Sequence, residues 1–296
     1  MKVVISGASG LVGKALANAL QGDGHEVVRL VRREPGSGEI RWSVLEQTID
    51  ASALEGCDAV IHMAGAPIAD KRWTEARKAV IRDSRVDGTR LLAQALAGLE
   101  KKPAVLVSGS AVGFYGACGD EEVTEDTAAG TGFLAEVCSA WEQAAQPAAD
   151  AGIRLVWLRT GVVMAEEGGA LAKMLPAFKM GVGGPMGSGR QYLPWIALAD
   201  HVRAIRHCID SDLSGPVNAT APNPVPQREF ASTLGRVLRR PAFAPAPAFA
   251  LKLLLGQMAD EALLTGQRVV PKALLASGFE FEFGKLEPAL RSMLDA

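Results

Sequence analysis

Residues 1–13 read MKVVISGASGLVG, and the reading of this stretch decides the fold. Lys2–Ser6 (KVVIS) is a short β-branched run, as a buried strand requires. Glycines follow at positions 7, 10 and 13. Helical periodicity then runs from Leu11 to Leu20. A strand-to-helix turn beside a pyrophosphate has no room for a Cβ, and the helix N-terminus offers free N–H groups and partial positive charge. The third glycine lets the helix approach the sheet. Strand, turn and helix stand in the order that a dinucleotide-binding turn demands.

Outward from this turn the chain alternates. Glu26–Arg32 (EVVRLVR), Asp58–His62 (DAVIH), Pro103–Ser108 (PAVLVS) and Ile153–Leu158 (IRLVWL) read as further strands. Trp73–Leu99 is helical, with Gly88 a candidate kink. Phe133–Ala151 is helical, and Gly152 is placed to end it. Strands separated by helices predict an α/β fold with a parallel sheet covered on both faces. After Arg159 the rhythm changes to helices and small strands. The glycine-rich run Gly181–Arg190 precedes strand-like QYLPWI, Asp200 is placed to N-cap a helix over Val202–Ile209, and Pro222, Pro224 and Pro226 mark a loop. Residues 1–165 are therefore expected to form a cofactor-binding domain. Residues 166–296 are expected to form a smaller α+β substrate lobe, fused to the sheet domain and partly completing it.

Composition narrows the function. With 31 Lys+Arg against 33 Asp+Glu the net charge is −2, which argues against a nucleic-acid partner. The apolar start, Val3–Ile5, is too short for a secretory signal. The most apolar region, AFAPAPAFALKLLLG, is broken by Pro245, Pro247 and Lys252, so no membrane partner is expected. Four dispersed cysteines without a CxxC pattern read as reduced thiols of a cytoplasmic protein.

The second strand ends Val31-Arg32-Arg33, where NAD-specific folds place an acid and where an arginine holds the extra phosphate of NADP. Arg32 and NADP(H) are the expectation, with Glu34 the nearest acid and a solvated basic pair the alternative. His62-Met63-Ala64-Gly65 follows the third strand; its small residues suit close passage of the cofactor, and His62 reads as a packed strand-end side chain. His25, His201 and His207 form no metal pair, so no metal is expected.

These features, with SGSAVGFYG, RTGVVM (Arg159–Met164), GGPMGSGRQYLPWIALAD (Gly183–Asp200), NATAPNPVPQREFA (Asn218–Ala231) and GQRVVPKALLASGFEF (Gly266–Phe281), resemble the extended and atypical short-chain dehydrogenases/reductases. Within these the chain looks like the SDR39U subfamily of epimerase family proteins. The resemblance covers essentially the whole chain. It implies a seven-stranded, doubly wound Rossmann sheet and NADP(H) near Gly7, Ser9, Gly10, Leu11, Val12, Gly13 and Arg32. It points also to Met63, Ala64 and Gly65, and to Arg85 and Arg159 as cofactor contacts. For Arg85 a helix-surface charge is the alternative, and for Arg159 a buried ion pair. The expected substrate is an unidentified small carbonyl or sugar-type molecule, and the expected state is a monomer or a homodimer.

The resemblance fails at the chemistry. The superfamily pair Tyr-x-x-x-Lys, in which lysine lowers the tyrosine pKa, occurs nowhere. Aligning Glu142 with the family glutamate puts Leu134 and Cys138 at those positions. Ser110 matches the catalytic Ser/Thr, and Tyr115 is the remaining phenol near the expected site. Glu121, Glu122, Glu125 and Asp126 beyond it read as a solvated acidic loop or as an alternative proton source. Gly181–Gly189 reads either as an amide cradle for an anionic substrate or as turns of a connector, while Trp195 and Asp200 read as a packing and a capping residue, with the alternative that the motif resembles one whose aspartate faces the substrate cleft in relatives. Two functions stay open: an NADP(H)-dependent oxidoreductase or epimerase of atypical mechanism, and an NADP(H)-binding regulatory or scaffold protein without catalysis.

Overall fold

Seven parallel strands organise the computed structural model, which describes residues 1–295. They are β1 (Lys2–Ser6), β2 (Glu26–Val31), β3 (Glu39–Ser43), β4 (Ala59–His62), β5 (Val105–Ala111), β6 (Arg154–Thr160) and β7 (Gly215–Ala219). Their order across the sheet is β7-β6-β5-β4-β1-β2-β3. The direction of winding reverses between β1 and β4, so a crevice opens there at the C-terminal ends of the strands. A two-residue strand, Thr48–Ile49, runs antiparallel outside β3 and makes the sheet eight-stranded, one more than expected.

Seven of the helices are α1 (Leu11–Gly22), α2 (Glu75–Ala97), α3 (Phe133–Ala144), α4 (Gly169–Lys179), α5 (Leu198–Asp210), α6 (Gln227–Leu238) and α7 (Leu286–Met293). Alternation along each strand separates two cores. Val3 and Ile5 face Leu16 and Leu20 of α1 and Val202 and Ile205 of α5. Val4, Val60 and Leu106 face Leu92 and Leu96 of α2. A third core joins α4, α6 and α7 through Leu175, Phe230, Leu234 and Leu290. No described helix is long and apolar enough to cross a membrane.

Three local expectations change. The helix expected over Phe133–Ala151 ends at Ala144, and a short helix restarts at Gln146 with Pro147 in its first turn, where the missing N–H does no harm. Gly88 does not divide α2; a Cβ there would lie 3.3 Å from the Trp42 ring, so the glycine admits that indole. Asp200 is not an N-cap. Helix α5 begins earlier, at Leu198, and the buried carboxylate in its first turn accepts hydrogen bonds from the Glu282 and Phe283 amides at 2.9 and 2.8 Å and from Arg203 at 2.9 Å.

Asp200 therefore ties the chain before α7 to the sheet layer. Asp200→Ala leaves two amides without an acceptor and is expected to lower the unfolding free energy by about 3 kcal/mol in urea titration. A loss under ~1 kcal/mol would show that residues 282–283 are anchored by other contacts.

Candidate functional site

The turn after β1 is built from close approaches. Gly7 has φ +74°, and a Cβ on it would stand 3.0 Å from the Met63 carbonyl carbon and 3.1 Å from the Ala64 nitrogen. A Cβ on Gly13 would overlap the Gly7 carbonyl oxygen, so this glycine lets α1 close onto its own turn. Gly10 N donates to Gly7 O at 3.0 Å and serves as the N-cap of α1. No side chain caps this helix and no acid lies in its first turn. Its leading amides thus keep their partial positive charge, with Ser9 and Gly10 exposed and Leu11 and Val12 half-buried. The Leu11 side chain packs against Gly168 and Gly169.

Beyond β2, Arg33 pairs with Glu39 at 2.6 Å and Arg41 with Glu34 at 3.1 Å. Arg32 is exposed and takes part in no ion pair among the described residues. The one nearby acid of the expected site is thereby engaged elsewhere, and Arg32 keeps its full donor set.

His62, fully buried, organises the turn from below. Ser6 Oγ receives the Met63 and Ala64 amides at 3.1 and 3.3 Å and stands 2.6 Å from His62 Nδ1. A hydroxyl that accepts twice donates its proton to the remaining partner, so Nδ1 is the acceptor and Nε2 carries the hydrogen. Burial pushes the His62 pKa down to about 4, and the ring is neutral. The next loop residues are held from α2: the Ala66 amide donates to Ser84 Oγ at 3.0 Å, and Arg85 Nη1 donates to Ala66 O at 2.9 Å and Ile81 O at 3.0 Å. The Arg85 guanidinium lies over the Trp141 ring at 5.0 Å. It is half-buried against the Gly65 loop, where a Cβ on exposed Gly65 would come 3.1 Å from Cζ, and is no surface charge.

At the ends of β5 and β6 lies a buried polar network. Ser110 Oγ donates to Glu142 Oε1 at 2.6 Å. Arg159 forms a two-pronged pair with Glu142, both bonds 2.9 Å, and donates to the Tyr115 hydroxyl at 3.0 Å. Tyr115 OH in turn donates to Asn218 Oδ1 at 2.7 Å. Arg159 and Glu142 are 4% and 7% exposed, so this is a desolvated ion pair. The Arg159 side chain is engaged by protein groups throughout. Burial raises the Tyr115 pKa despite the opposing Arg159 charge, and raises that of Cys138, next to Ser110, to about 11. Neither group is activated as a base.

The acidic loop divides. Glu121, Glu122 and Asp126 are exposed, with Asp126 paired to Lys272 at 2.6 Å. Glu125 turns inward instead, accepting from Asn218 N at 2.9 Å and Ala273 N at 3.1 Å. In the Gly181–Gly189 run the glycines admit neighbouring protein: Phe178 at Gly183, the Ala244 carbonyl at Gly184, Leu264 at Gly187 and Arg228 at Gly189. Amides of Met186, Gly187 and Gly189 are bonded to Gln227, Ala246 and Met186. The connector reading therefore fits this run better than an amide cradle does. Trp195 is fully buried, its indole donating to Asn223 O at 3.2 Å.

A family model described as "NAD dependent epimerase/dehydratase family" matches residues 3–219, from β1 to the end of β7. The chain belongs to that family. A second model, a domain of unknown function, matches residues 246–293. The chain is 45% identical over 290 residues to an epimerase family protein of Mycobacterium tuberculosis, covering 97% of this chain and 96% of that one. It is 37% identical over 298 residues to the human epimerase family protein SDR39U1, covering 99% and 100%. The crystal structure of human SDR39U1 (isoform 2) with NADPH is similar with a TM-score of 0.92 at 34% identity, over 100% of this chain and 99% of that one.

Within this epimerase-family chain, three participants escaped the sequence reading. Ser6 lay inside the glycine motif, Glu142 served only as an alignment anchor, and Asn218 opened a motif without a role. The Asn in NATA, at the end of a short run after Gly215, was the available signal for the last.

Glu142→Gln removes the charge facing buried Arg159 and is expected to cost about 3 kcal/mol of stability, whereas Glu142→Met with Arg159→Met together costs less. Equal losses in single and double variants would show that packing, not the uncompensated charge, dominates. A second expectation concerns pH. His62 and His201 both have folded pKa values near 4, lowered by burial from 6.5. The unfolded chain binds the extra protons below pH ~6.5, so stability falls as pH drops towards 4, by up to about 1.4 kcal/mol per pH unit for each histidine. Unfolding free energies at pH 7, 6 and 5 measure this, and His201→Asn should flatten the slope.

Proposed function

We propose that this chain binds NADP(H) and acts as an oxidoreductase or epimerase of atypical mechanism on a small carbonyl or sugar-type substrate. The observation that carries the reading is the conjunction of an uncapped α1, a glycine turn closed against Met63–Ala64 and an exposed Arg32 free of any acid. These residues fit a dinucleotide: the α1 amides receive the pyrophosphate, Arg32 the ribose phosphate, and Met63, Ala64 and Gly65 the floor of the crevice. The NADPH in human SDR39U1 supports the choice. Bound there, the nicotinamide supplies hydride transfer.

The rest of the chemistry belongs to the chain. Residues 1–165 hold the cofactor in this reading and residues 166–296 cover the substrate side. Ser110 Oγ accepts the proton of a substrate hydroxyl and passes its own to Glu142 Oε1, 2.6 Å away. Arg159 holds that carboxylate in place through two hydrogen bonds of 2.9 Å. Tyr115, locked between Arg159 and Asn218, shapes the wall behind Ser110. The four unpaired cysteines support a cytoplasmic protein.

A second reading, a regulatory NADP(H)-binding protein without turnover, is favoured by one observation: the Tyr115 and Cys138 pKa values are both raised. Titration with NADPH and NADH in parallel tests the cofactor. Wild type is expected to prefer NADPH by about tenfold or more, one charge-assisted contact being worth ~1.5–3 kcal/mol, and Arg32→Asp to lose that preference. Equal binding of both would sink the Arg32 assignment. Ser110→Ala then separates the two readings. It should abolish NADPH oxidation across a carbonyl panel while leaving NADPH affinity intact, and wild type that oxidises none of the panel would favour the regulatory one.

A further inference from the structure

The most apolar stretch of the chain, residues 242–256, lies at the surface. Residues 241–250 alternate: Pro241, Phe243, Pro245, Pro247 and Phe249 are exposed, and the alanines between them are half-buried. The Ala244 and Ala246 amides donate to Gly183 O and Pro185 O at 3.3 and 2.9 Å, so this strip lies along the segment 180–187. Its outer edge carries prolines at 241, 245 and 247, which have no N–H to offer, and is a poor template for an added strand. A short helix, Ala248–Leu255, follows, and none of its residues is buried. Phe249 and Leu253 share one ridge of it, Ala250 and Leu254 the next. Arg72 Nη1 donates to Leu253 O at 3.4 Å, and Leu255 packs in a small cluster with Trp73 and Ile81, so the helix is fastened on its other side.

Of ten large apolar side chains exposed among the described residues, six gather here: Met180, Val182, Phe243, Phe249, Leu253 and Leu254. Met180 and Val182 flank Gly181, where a Cβ would lie 3.3 Å from Pro241. Met1, Leu45, Val80 and Leu275 stand singly on separate elements. Phe243 and Phe249 are 80% and 75% exposed. Six side chains this open present on the order of 800 Å² of apolar surface, about what each partner gives to a standard interface and above the largest patch of a typical monomer. The outward face of α2, by contrast, is charged, with Arg82 on Asp83 at 2.8 Å and Arg90 on Asp87 at 3.4 Å. Charges inside the apolar patch are balanced on the same copy, Lys252 by Asp260 at 2.7 Å and Lys179 by Glu166 at 3.5 Å. Such a face selects no oppositely charged partner and meets its own copy without repulsion. We propose that it joins two copies of the chain, about a two-fold axis through the helix Ala248–Leu255. Phe249 and Leu253 of one copy pack against the same residues of the other, and small Ala250 lets the two helices approach. Arg239 and Arg240 mark the far end of the strip, roughly 20 Å from the helix, so the axis keeps them away from their counterparts. A two-fold contact is closed, and the assembly stops at a dimer. The prolines fix the strip beforehand, so little ordering entropy opposes the contact.

Sedimentation equilibrium of the full chain over a concentration series tests this. Wild type is expected at twice the chain mass, with a Kd in the micromolar range or below. Phe249→Glu with Leu253→Glu should weaken the dimer about 100-fold or more, because each substitution acts twice across a two-fold axis. Both side chains are exposed on the single copy, so the variant should keep the wild-type Tm. Leu45→Glu, at an exposed apolar position outside the patch, should leave the dimer unchanged. Ala250→Cys gives a second measurement that does not depend on the double variant folding: a disulfide between copies is expected on mild oxidation, and copies that stay unlinked would overturn the axis. Wild type that remains monomeric well above micromolar concentration would overturn the proposal. Co-sedimentation of that monomer with phosphatidylglycerol vesicles, lost in the double variant, would give the face to a lipid surface instead. A dimer that survives the double variant would place the contact elsewhere and overturn the proposal as well.

Discussion

The packing of Gly7 against the Met63–Ala64 peptide sets the geometry of the crevice at the C-terminal ends of β1 and β4. The 3.0 Å that separates a would-be Cβ from Met63 leaves no freedom to either loop. Ser6 secures the contact by taking both amides, and His62 completes the hydroxyl's bonding from inside the core. A neutral imidazole is essential to that arrangement, because a protonated ring has no lone pair for Ser6 to donate to. The loop that follows is then tied to α2 through Ser84 and Arg85. The floor of the crevice is thus held from strand and helix at once.

Much of this was legible in the sequence because the features are local. The β-branched runs of β1, β2, β4 and β6, the glycines at 7, 10 and 13 and the Arg32 strand end follow from spacing and residue type. What escaped depends on tertiary contact. The strand Glu39–Ser43 lies beyond a glycine turn, too short to show a period, and is recognisable only once Trp42 is seen filling the space above Gly88. Asp200 looked like a cap because caps and buried acceptors draw on the same residue types; its partners at 282 and 283 are some eighty residues away. Glu125 likewise sits in a run of acids and differs from its neighbours only in the direction it faces.

The site keeps a rigid frame in a chain that has no Tyr-x-x-x-Lys pair. Leu134 and Cys138 stand where the family pair is expected, yet the region is more polar than an apolar replacement would make it. Glu142, Arg159, Tyr115 and Asn218 join α3, β6, the segment after β5 and β7 in one chain of hydrogen bonds. Such a network is stable when every member is bonded, and rigid for the same reason. Rigidity suits a wall or a positioned Ser110. It does not suit a phenol that must gain and lose a proton, and the raised pKa of Tyr115 expresses the same fact.

The position of β7 at the edge of the sheet carries a consequence for synthesis. Its residues, Gly215–Ala219, pair with β6 in register from Val156 to Thr160, and α5, also from the later part of the chain, covers Val156 and Leu158. A nascent chain that has emerged only as far as β6 therefore shows an open strand edge above an uncovered apolar face. Such edges recruit other chains. The sheet domain cannot finish folding on the ribosome until about sixty more residues have followed β6, which places the most aggregation-sensitive interval of this protein's life in the middle of its own translation.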